Sequence, residues 1–138
     1  MGQYWKLVNL DKKEYVHPHR VGCGLKLGEQ ISSHPGTGTA LLILCAAMPA
    51  SRGNGDLQAD PGVVGRWAGD RIALVGDYAE HDDLPDEFEA ESIYKRCSED
   101  GDYEDITDMI VPVIERELNV KFVNPSGGWG HWVDLEDA

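Results

Sequence analysis

Cysteine is scarce in this sequence, and long apolar runs are absent. The three cysteines, Cys23, Cys45 and Cys97, are scattered over 138 residues and no two form a C-x-x-C pair. An odd number of dispersed thiols fits neither a disulfide framework nor a cysteine-rich zinc site, so we expect free thiols in a reducing cytoplasm. The longest apolar run, residues 40–48, is too short to span a bilayer, and no basic region followed by an apolar stretch opens the chain. We therefore expect no membrane association and no secretory signal.

The short motifs that mark common catalytic and nucleotide sites are also missing. The sequence contains no G-x-x-x-x-G-K-[ST], no G-x-G-x-x-G and no G-x-S-x-G. Five histidines and several serines are available, but no local pattern selects a nucleophile. We therefore assign no catalytic residue and no cofactor, and enzymatic activity stays open. The Gly-Thr-Gly-Thr segment at the start of an apolar run leaves a small-ligand or anion site at residues 34–39 as a third interpretation.

Positive charge is sparse and unevenly distributed. The chain holds 12 basic and 25 acidic residues, a net charge of −13. Residues 77–108 alone hold 14 acidic side chains against Lys95 and Arg96, a net charge of −12, so the acidity is regional. Phosphates would be repelled by this segment, and we expect no direct nucleic-acid partner. Because crowded like charges repel one another, the segment favours a basic protein partner, although a solvated surface is the plainer interpretation.

These charges predict a partner-binding face. The leading hypothesis is a non-enzymatic cytoplasmic protein-interaction module, of the inhibitor or immunity type. Its partner-binding residues would be Asp82, Asp83, Asp86, Glu87, Glu89 and Glu91. The interleaved apolar side chains, such as Tyr78, Leu84 and Phe88, either anchor the partner or pack into the protein's own core.

A second hypothesis is a metal-binding protein or a metal-dependent enzyme. His17-x-His19 on an extended segment would present both rings to one side, and Asp77 and His81 of the 77–83 loop could complete a ligand set. The alternative is a pair of exposed histidines that flank a turn proline. A calcium loop at residues 99–105 is disfavoured, because its glycine comes too early and no glutamate stands at the twelfth position.

Two strand–turn–strand patterns predict hairpins. Residues 4–8 and 14–17 flank a polar turn, and residues 63–67 and 71–75 flank Ala68-Gly69-Asp70, where Gly69 is free to adopt a positive φ. The 71–75 strand is apolar on both faces, which predicts a central strand that is covered on both sides.

Helical spacing is clearest at two places. Residues 39–48 predict a buried helix that stops before Pro49, and residues 107–118 predict a helix capped by Thr107, with Pro112 as a complication. A shorter helix is expected at residues 90–97, a last strand at 120–123, and a long loop at 50–62. Together these patterns predict one α+β domain over residues 1–138, a mainly antiparallel sheet of two hairpins packed by two or three helices, with Trp5 and Trp67 largely buried.

Several segments resemble a group of small uncharacterised microbial proteins. The resemblance lies in Met-Gly-Gln-Tyr-Trp-Lys-Leu-Val-Asn-Leu-Asp-Lys-Lys-Glu-Tyr at residues 1–15, Pro18-His19-Arg20, residues 24–27, Gly-Arg-Trp-Ala-Gly-Asp-Arg at 65–71, and Val-Gly-Asp-Tyr at 75–78. It covers the N-terminal half and the centre of the chain. It implies no activity, fold or site residue.

Overall fold

The main sheet is assembled around its first strand. The computed structural model describes residues 3–22, 25–47, 62–123 and 130–135. Strand β1 (Trp5–Asn9) pairs antiparallel with β2 (Glu14–Val16) on one side and with β3 (Ile72–Gly76) on the other. A short β4 (Glu104–Asp105) joins parallel to β2, which makes the order β3-β1-β2-β4.

Helices cover this sheet, and a separate strand pair follows them. The helices are α1 (Leu27–Ser32), α2 (Thr37–Leu44), α3 (Ala90–Arg96) and α4 (Thr107–Leu118), with 3-10 turns at Pro18–Arg20, His81–Asp83 and Asp86–Phe88. The separate pair is β5 (Val120–Val123) with β6 (His131–Asp134), which is antiparallel. The α+β fold class with mostly antiparallel pairing is confirmed. Within the described ranges, no helix has the length and apolar character needed to cross a membrane.

Side chains of β1 alternate between the two faces of the sheet and contribute to two apolar clusters, one on each face. Leu7 belongs to the first cluster, which gathers buried side chains of β2, α2 and α4 around the fully buried Trp67. The next residue, Val8, belongs to the second cluster, with Tyr15 of β2, Val75 of β3 and Ile93 of α3. Neighbouring residues of a strand point to opposite faces, so one strand supports both cores.

The predicted second hairpin is wrong, because residues 63–67 are not a strand. The backbone N–H of Gly65 donates to the carbonyl of Ile43, and that of Trp67 donates to the carbonyl of Leu44, each at 2.9 Å. The segment therefore satisfies the last carbonyls of α2, which have no partner inside the helix. Gly69 adopts a φ of +86°, as expected, but in a run of turns.

The 71–75 segment forms strand β3, but it is not central. In the described part of the sheet it lies at one edge, with β1 as its neighbour. Its side chains reach both clusters, since Ile72 packs against the first and Ala73 against the second. Leu74, on the same side of the strand as Ile72, is 37% exposed, so that face is only partly covered. An apolar pattern on both faces therefore carries no information about the edge.

The two tryptophans differ in burial. Trp67 is fully buried, as predicted, and Trp5, the first residue of β1, is partly buried. The prediction of largely buried side chains is therefore confirmed for Trp67, and Trp5 keeps a minor part of its surface exposed.

The predicted helices are confirmed with shifted ends. α2 begins and ends earlier than residues 39–48, whereas α4 has the predicted bounds and continues through the exposed Pro112. Thr107 is the first helical residue rather than the cap, which is Ile106. The strand at 120–123 is β5, and residues 50–61 of the expected long loop lie outside the described residues.

Candidate functional site

Two of the segments that carry the microbial resemblance contact each other through a buried carboxylate. Glu14, only 4% exposed, accepts hydrogen bonds from Nε (3.0 Å) and Nη2 (2.5 Å) of Arg66 and from Nε1 of Trp67 (2.8 Å). Burial alone would raise the pKa of Glu14, but the hydrogen bonds from Arg66 and Trp67 outweigh it and lower the pKa below its ordinary value. The carboxylate is therefore ionised and held by three donors.

A second set of contacts, nearer the solvent, extends this junction between the 9–14 turn and the 66–71 segment. Asp11 accepts from Nε (2.9 Å) and Nη2 (2.7 Å) of Arg71, and Asp70 accepts from Nδ2 of Asn9 (2.8 Å) while pairing with Lys12. Most charged residues of the 9–14 turn and of the 66–71 segment are thus paired with one another, although Lys13 lies 3.8 Å from Asp102 and Arg71 also pairs with Glu87. We assign this junction a structural role, because its polar groups have partners within the protein.

The six acidic side chains predicted to bind a partner all lie on the surface. They occupy the 3-10 turns at 81–88 and the start of α3, and each is exposed. We call this set the acidic face: Asp82, Asp83, Asp86, Glu87, Glu89 and Glu91. Sequence and structure agree that these charges are presented to solvent, while partner binding itself stays a prediction.

Half of the acidic face has local partners. Asp83 accepts from the backbone N–H of Glu80 at 2.8 Å, Glu87 pairs with Arg71 at 3.3 Å, and Glu89 lies 3.9 Å from Arg96.

The other three residues of the acidic face are unpaired in the described part of the chain. Asp82, Asp86 and Glu91 form no ion pair with any described residue. These three carboxylates are the ones available to an external cation.

Most interleaved apolar side chains of this segment serve the protein's own core. Ile93 is fully buried in the second cluster, and Leu84 and Phe88 pack against it. Tyr78 differs, because it is 60% exposed beside the end of β3. The core interpretation therefore holds for Leu84 and Phe88, and Tyr78 is the aromatic that remains on the surface.

The structure brings together only half of the predicted metal ligands. The rings of His17 and His19 lie 5.8 Å apart between centroids, and Nδ1 of His17 accepts from the backbone N–H of His19 at 3.2 Å. Burial lowers the pKa of His17 to about 4, so its imidazole is neutral at neutral pH.

Asp77 lies on the other side of β1, and His81 is exposed at the start of the following 3-10 turn. His17 follows Val16, which pairs with Leu7 of β1, whereas Asp77 follows the last residue of β3 on the opposite flank. Two strand spacings, about 10 Å, separate these positions. Asp77 accepts instead from the backbone N–H of Tyr4 at 2.9 Å. Over the residues that the structure describes, no three His, Cys, Asp or Glu side chains gather as a ligand set, and the four-residue metal site stays a prediction.

A cleft of about 500 Å³ lies between β2, the 3-10 turn at Pro18–Arg20 and the segment after α3. Its most unusual lining residue is Lys6, which is 8% exposed. The Lys6 ammonium donates to the carbonyls of Cys97 (2.6 Å) and Tyr94 (3.4 Å) and lies 4.2 Å from the centre of the Tyr94 ring. It thereby completes the C-terminal end of α3, where carbonyls lack helical partners and a cation is favoured. Burial lowers the pKa of Lys6 from its ordinary value.

Arg20 and Asp105 of the cleft are engaged with each other and with the start of α4. Arg20 pairs with Asp105 at 2.6 Å and with Asp108, while Asp105 also accepts from the backbone N–H of Thr107 at 2.9 Å. The hydroxyl of Thr107 accepts from the backbone N–H of His17 at 2.8 Å. This chain of contacts ties the 3-10 turn at Pro18–Arg20 to the start of α4.

The candidate nucleophiles of the cleft are held in their neutral forms. Burial raises the pKa of the Tyr15 hydroxyl to about 12, and burial likewise raises the pKa of the Cys97 thiol to about 12. A reactive cysteine needs a lowered pKa, so the environment of Cys97 is that of a structural thiol.

Sequence reasoning missed this cleft, although one signal was present. Alternation along β1 places Lys6 on the same face as Val8, which is a core position. A lysine at such a position needs a polar partner in the interior. The partners come from α3, about ninety residues further along the chain, and no local spacing indicates them.

Comparison with protein-family models, with curated proteins and with solved structures finds no match to this chain. The resemblance to the microbial group stays an expectation, and the functional assignment rests on geometry and charge.

Proposed function

We propose that this protein is a non-enzymatic, cytoplasmic interaction module whose acidic face binds a basic surface of a protein partner, in the manner of an inhibitor or immunity protein. The observation that carries the proposal is that Asp82, Asp86 and Glu91 are exposed and form no ion pair with any described residue, within a segment of net charge −12. An external cation would relieve the repulsion among these carboxylates.

The acidic face is held in place by the core beneath it. Leu84 and Phe88 pack against the second cluster, and Arg71 lies over the Phe88 ring at 4.6 Å. A surface that is ordered before binding loses less conformational entropy when a partner docks. The 3-10 turns at 81–88 therefore suit a binding role better than a flexible acidic tail would.

The charge pattern also defines how the interaction should behave. Complementary charges on a partner accelerate encounter and are screened by salt, since the Debye length is about 10 Å at 0.1 M. We expect association to weaken as the salt concentration rises and the partner to present several Lys or Arg side chains.

The test compares two variants with the same change in net charge. Asp82→Asn, Asp86→Asn and Glu91→Gln together remove the three unpaired charges of the acidic face. Glu29→Gln, Glu117→Gln and Asp134→Asn remove three charges elsewhere. Each immobilised protein is exposed to a lysate of the organism that encodes it at low salt, and retained proteins are eluted with rising salt.

The proposal expects a basic protein that the wild type and the second variant retain and that the first variant loses. It fails if the acidic-face variant retains the same proteins as the wild type with the same salt dependence. Charge effects that are not specific to the acidic face would weaken both variants equally.

A further inference from the structure

We propose that the basic partner docks as an extended strand on the edge of β3 that has no neighbouring strand among the described residues, which would extend the sheet by one strand. This inference rests on the proposed function and specifies how its partner binds. It combines the direction of backbone groups along β3, the groove beside the strand, and the charges that surround the groove.

The register of the β1–β3 ladder determines which backbone groups face outward. The N–H of Leu10 donates to the carbonyl of Arg71 at 2.8 Å, and the N–H of Asp77 donates to the carbonyl of Tyr4 at 3.0 Å. In an antiparallel pair, alternate residues direct their N–H and C=O groups toward the same neighbour. The backbone N–H and C=O groups of Ala73 and Val75 therefore point toward β1.

The intervening residues of β3 direct their backbone groups away from β1. These are Ile72, Leu74 and Gly76. Among the described residues, nothing bonds the N–H or C=O groups of Ile72 and Leu74 on this side, and the carbonyl of Gly76 accepts only from the N–H of Ala79 at 3.3 Å. This edge is a template for a further strand.

The sequence of β3 carries none of the features that usually protect an edge. Natural edge strands are blunted by charged residues, by proline or by bulges. β3 reads Ile-Ala-Leu-Val-Gly, and Leu74 in its middle is 37% exposed. An unprotected apolar edge is consistent with a surface that is covered when the partner is bound.

A groove of about 380 Å³ runs beside the end of this strand. Trp5, Leu74, Tyr78 and Leu84 supply its apolar wall, and Asp83 lies at its rim. Strand addition gains affinity from backbone hydrogen bonds and specificity from pockets that accept alternate side chains. The groove can accept an apolar side chain of the added strand.

The negative charge beside the groove favours an added strand that carries basic side chains. Asp77 and Asp83 are exposed beside the groove, and the rest of the acidic face follows directly. A second copy of this chain would bring another net charge of −13 to the same place, which disfavours self-association through this edge. The occupant that fits is an extended segment of a protein in which apolar residues alternate with Lys or Arg.

The test uses a synthetic probe, a short peptide of alternating valine and lysine. The controls are the same peptide methylated on every backbone nitrogen, which keeps the charge but cannot donate, and a peptide with glutamate in place of lysine. Binding is measured by calorimetry at low salt, and amide exchange of β3 is followed by NMR.

We expect the unmethylated basic peptide to slow exchange of the Ile72 and Leu74 amides at least tenfold. The Ala73 and Val75 amides already bond β1 and serve as the internal control. Loss of the peptide's backbone donors should weaken binding at least tenfold. A tenfold change in the dissociation constant corresponds to about 1.4 kcal/mol of binding free energy. The Leu74→Lys variant should weaken binding to a similar extent, whereas Leu42→Lys on α2, where the leucine is 75% exposed, should not.

Two results overturn the inference in distinguishable ways. If both basic peptides bind equally and the Ile72 and Leu74 amides stay unprotected, the acidic face binds cations but the edge is not used. If neither basic peptide binds more tightly than the glutamate peptide, the edge inference and the proposed function both fail.

Discussion

The buried carboxylate of Glu14 accepts a hydrogen bond of 2.8 Å from Nε1 of Trp67, across fifty-three residues of chain. Arg66 donates to the same carboxylate through two nitrogens. This contact fixes the segment before β3 against the β1–β2 hairpin. The position of β3, and with it the acidic face that follows, therefore depends on this buried junction.

Breaking this junction should destabilise the whole domain. The Glu14→Ala variant leaves the Arg66 guanidinium and the Trp67 indole without their acceptor, and removal of one partner from a buried ion pair costs about 3–5 kcal/mol. Urea denaturation measures the loss. The matched Glu104→Ala variant removes an exposed carboxylate nearby and should change stability by less than about 1 kcal/mol. Equal losses in the two variants would show that the junction is not a major stabilising contact.

The same carboxylate should contribute to acid unfolding. The pKa of Glu14 is lower in the folded protein than in the unfolded chain, so the unfolded state binds the proton more readily. Its contribution to stability is fully present above the unfolded pKa of about 4.3 and is lost as the pH falls through the lower folded pKa. Unfolding midpoints measured from pH 7 to pH 3 should fall less steeply in Glu14→Gln than in the wild type. Parallel pH profiles for the two proteins would contradict this assignment.

Lys6 should stabilise the end of α3. The Lys6→Met variant keeps an unbranched side chain that is one atom shorter but leaves the carbonyls of Cys97 and Tyr94 without their donor, and hydrogen bonds to charged groups contribute about 1.5–3 kcal/mol. Hydrogen exchange should show that the amides of α3 become less protected while those of α2 do not. Lys95→Met on the exposed side of α3 is the control. Uniform loss of protection in both helices would exclude a local capping role.

Metal ions separate the leading hypothesis from the alternative that His17, His19, Asp77 and His81 form a metal site. Thermal unfolding is followed with chelator and then with Zn²⁺, Mn²⁺, Mg²⁺ and Ca²⁺ in turn. An ion at a hundredfold over its dissociation constant would stabilise by about 2.7 kcal/mol, a shift of several degrees. The interaction-module account predicts at most small shifts that are the same in the wild type and in His19→Ala. A rise that chelator reverses and that His19→Ala abolishes would favour the metal alternative.

Local patterns in the sequence predicted the elements but not all of their partners. The stripe of Ile110, Val113, Ile114 and Leu118 predicted α4 with its observed bounds. The first three residues face the first cluster, whereas Leu118 is 41% exposed. The 63–67 run was predicted as a strand because a plausible tight turn at residues 68–70 joins it to the 71–75 strand. Its backbone N–H groups donate to carbonyls at the end of α2. A local sequence pattern does not indicate such a tertiary contact.

In the candidate site, too, exposure could be predicted from local sequence and tertiary partners could not. The acidic face was predicted correctly as exposed, because a dense run of carboxylates cannot be buried without partners. The edge position of β3 could not be predicted, since apolar side chains on both faces say nothing about which strand lies beside it. Alternation along β1 puts Lys6 on the same face as Val8, but its partners at the end of α3 depend on how the chain returns to the sheet.

The central claim is that the surface from β3 through the start of α3 binds a basic extended segment. The most direct measurement is a two-dimensional NMR titration of the isotope-labelled protein with the valine–lysine peptide, which follows every backbone amide in one experiment. The account predicts that shift changes concentrate at residues 72–91 and shrink as salt is raised. Shift changes centred on the cleft around Lys6, Arg20 and Asp105, or spread over the protein without a common face, would contradict it.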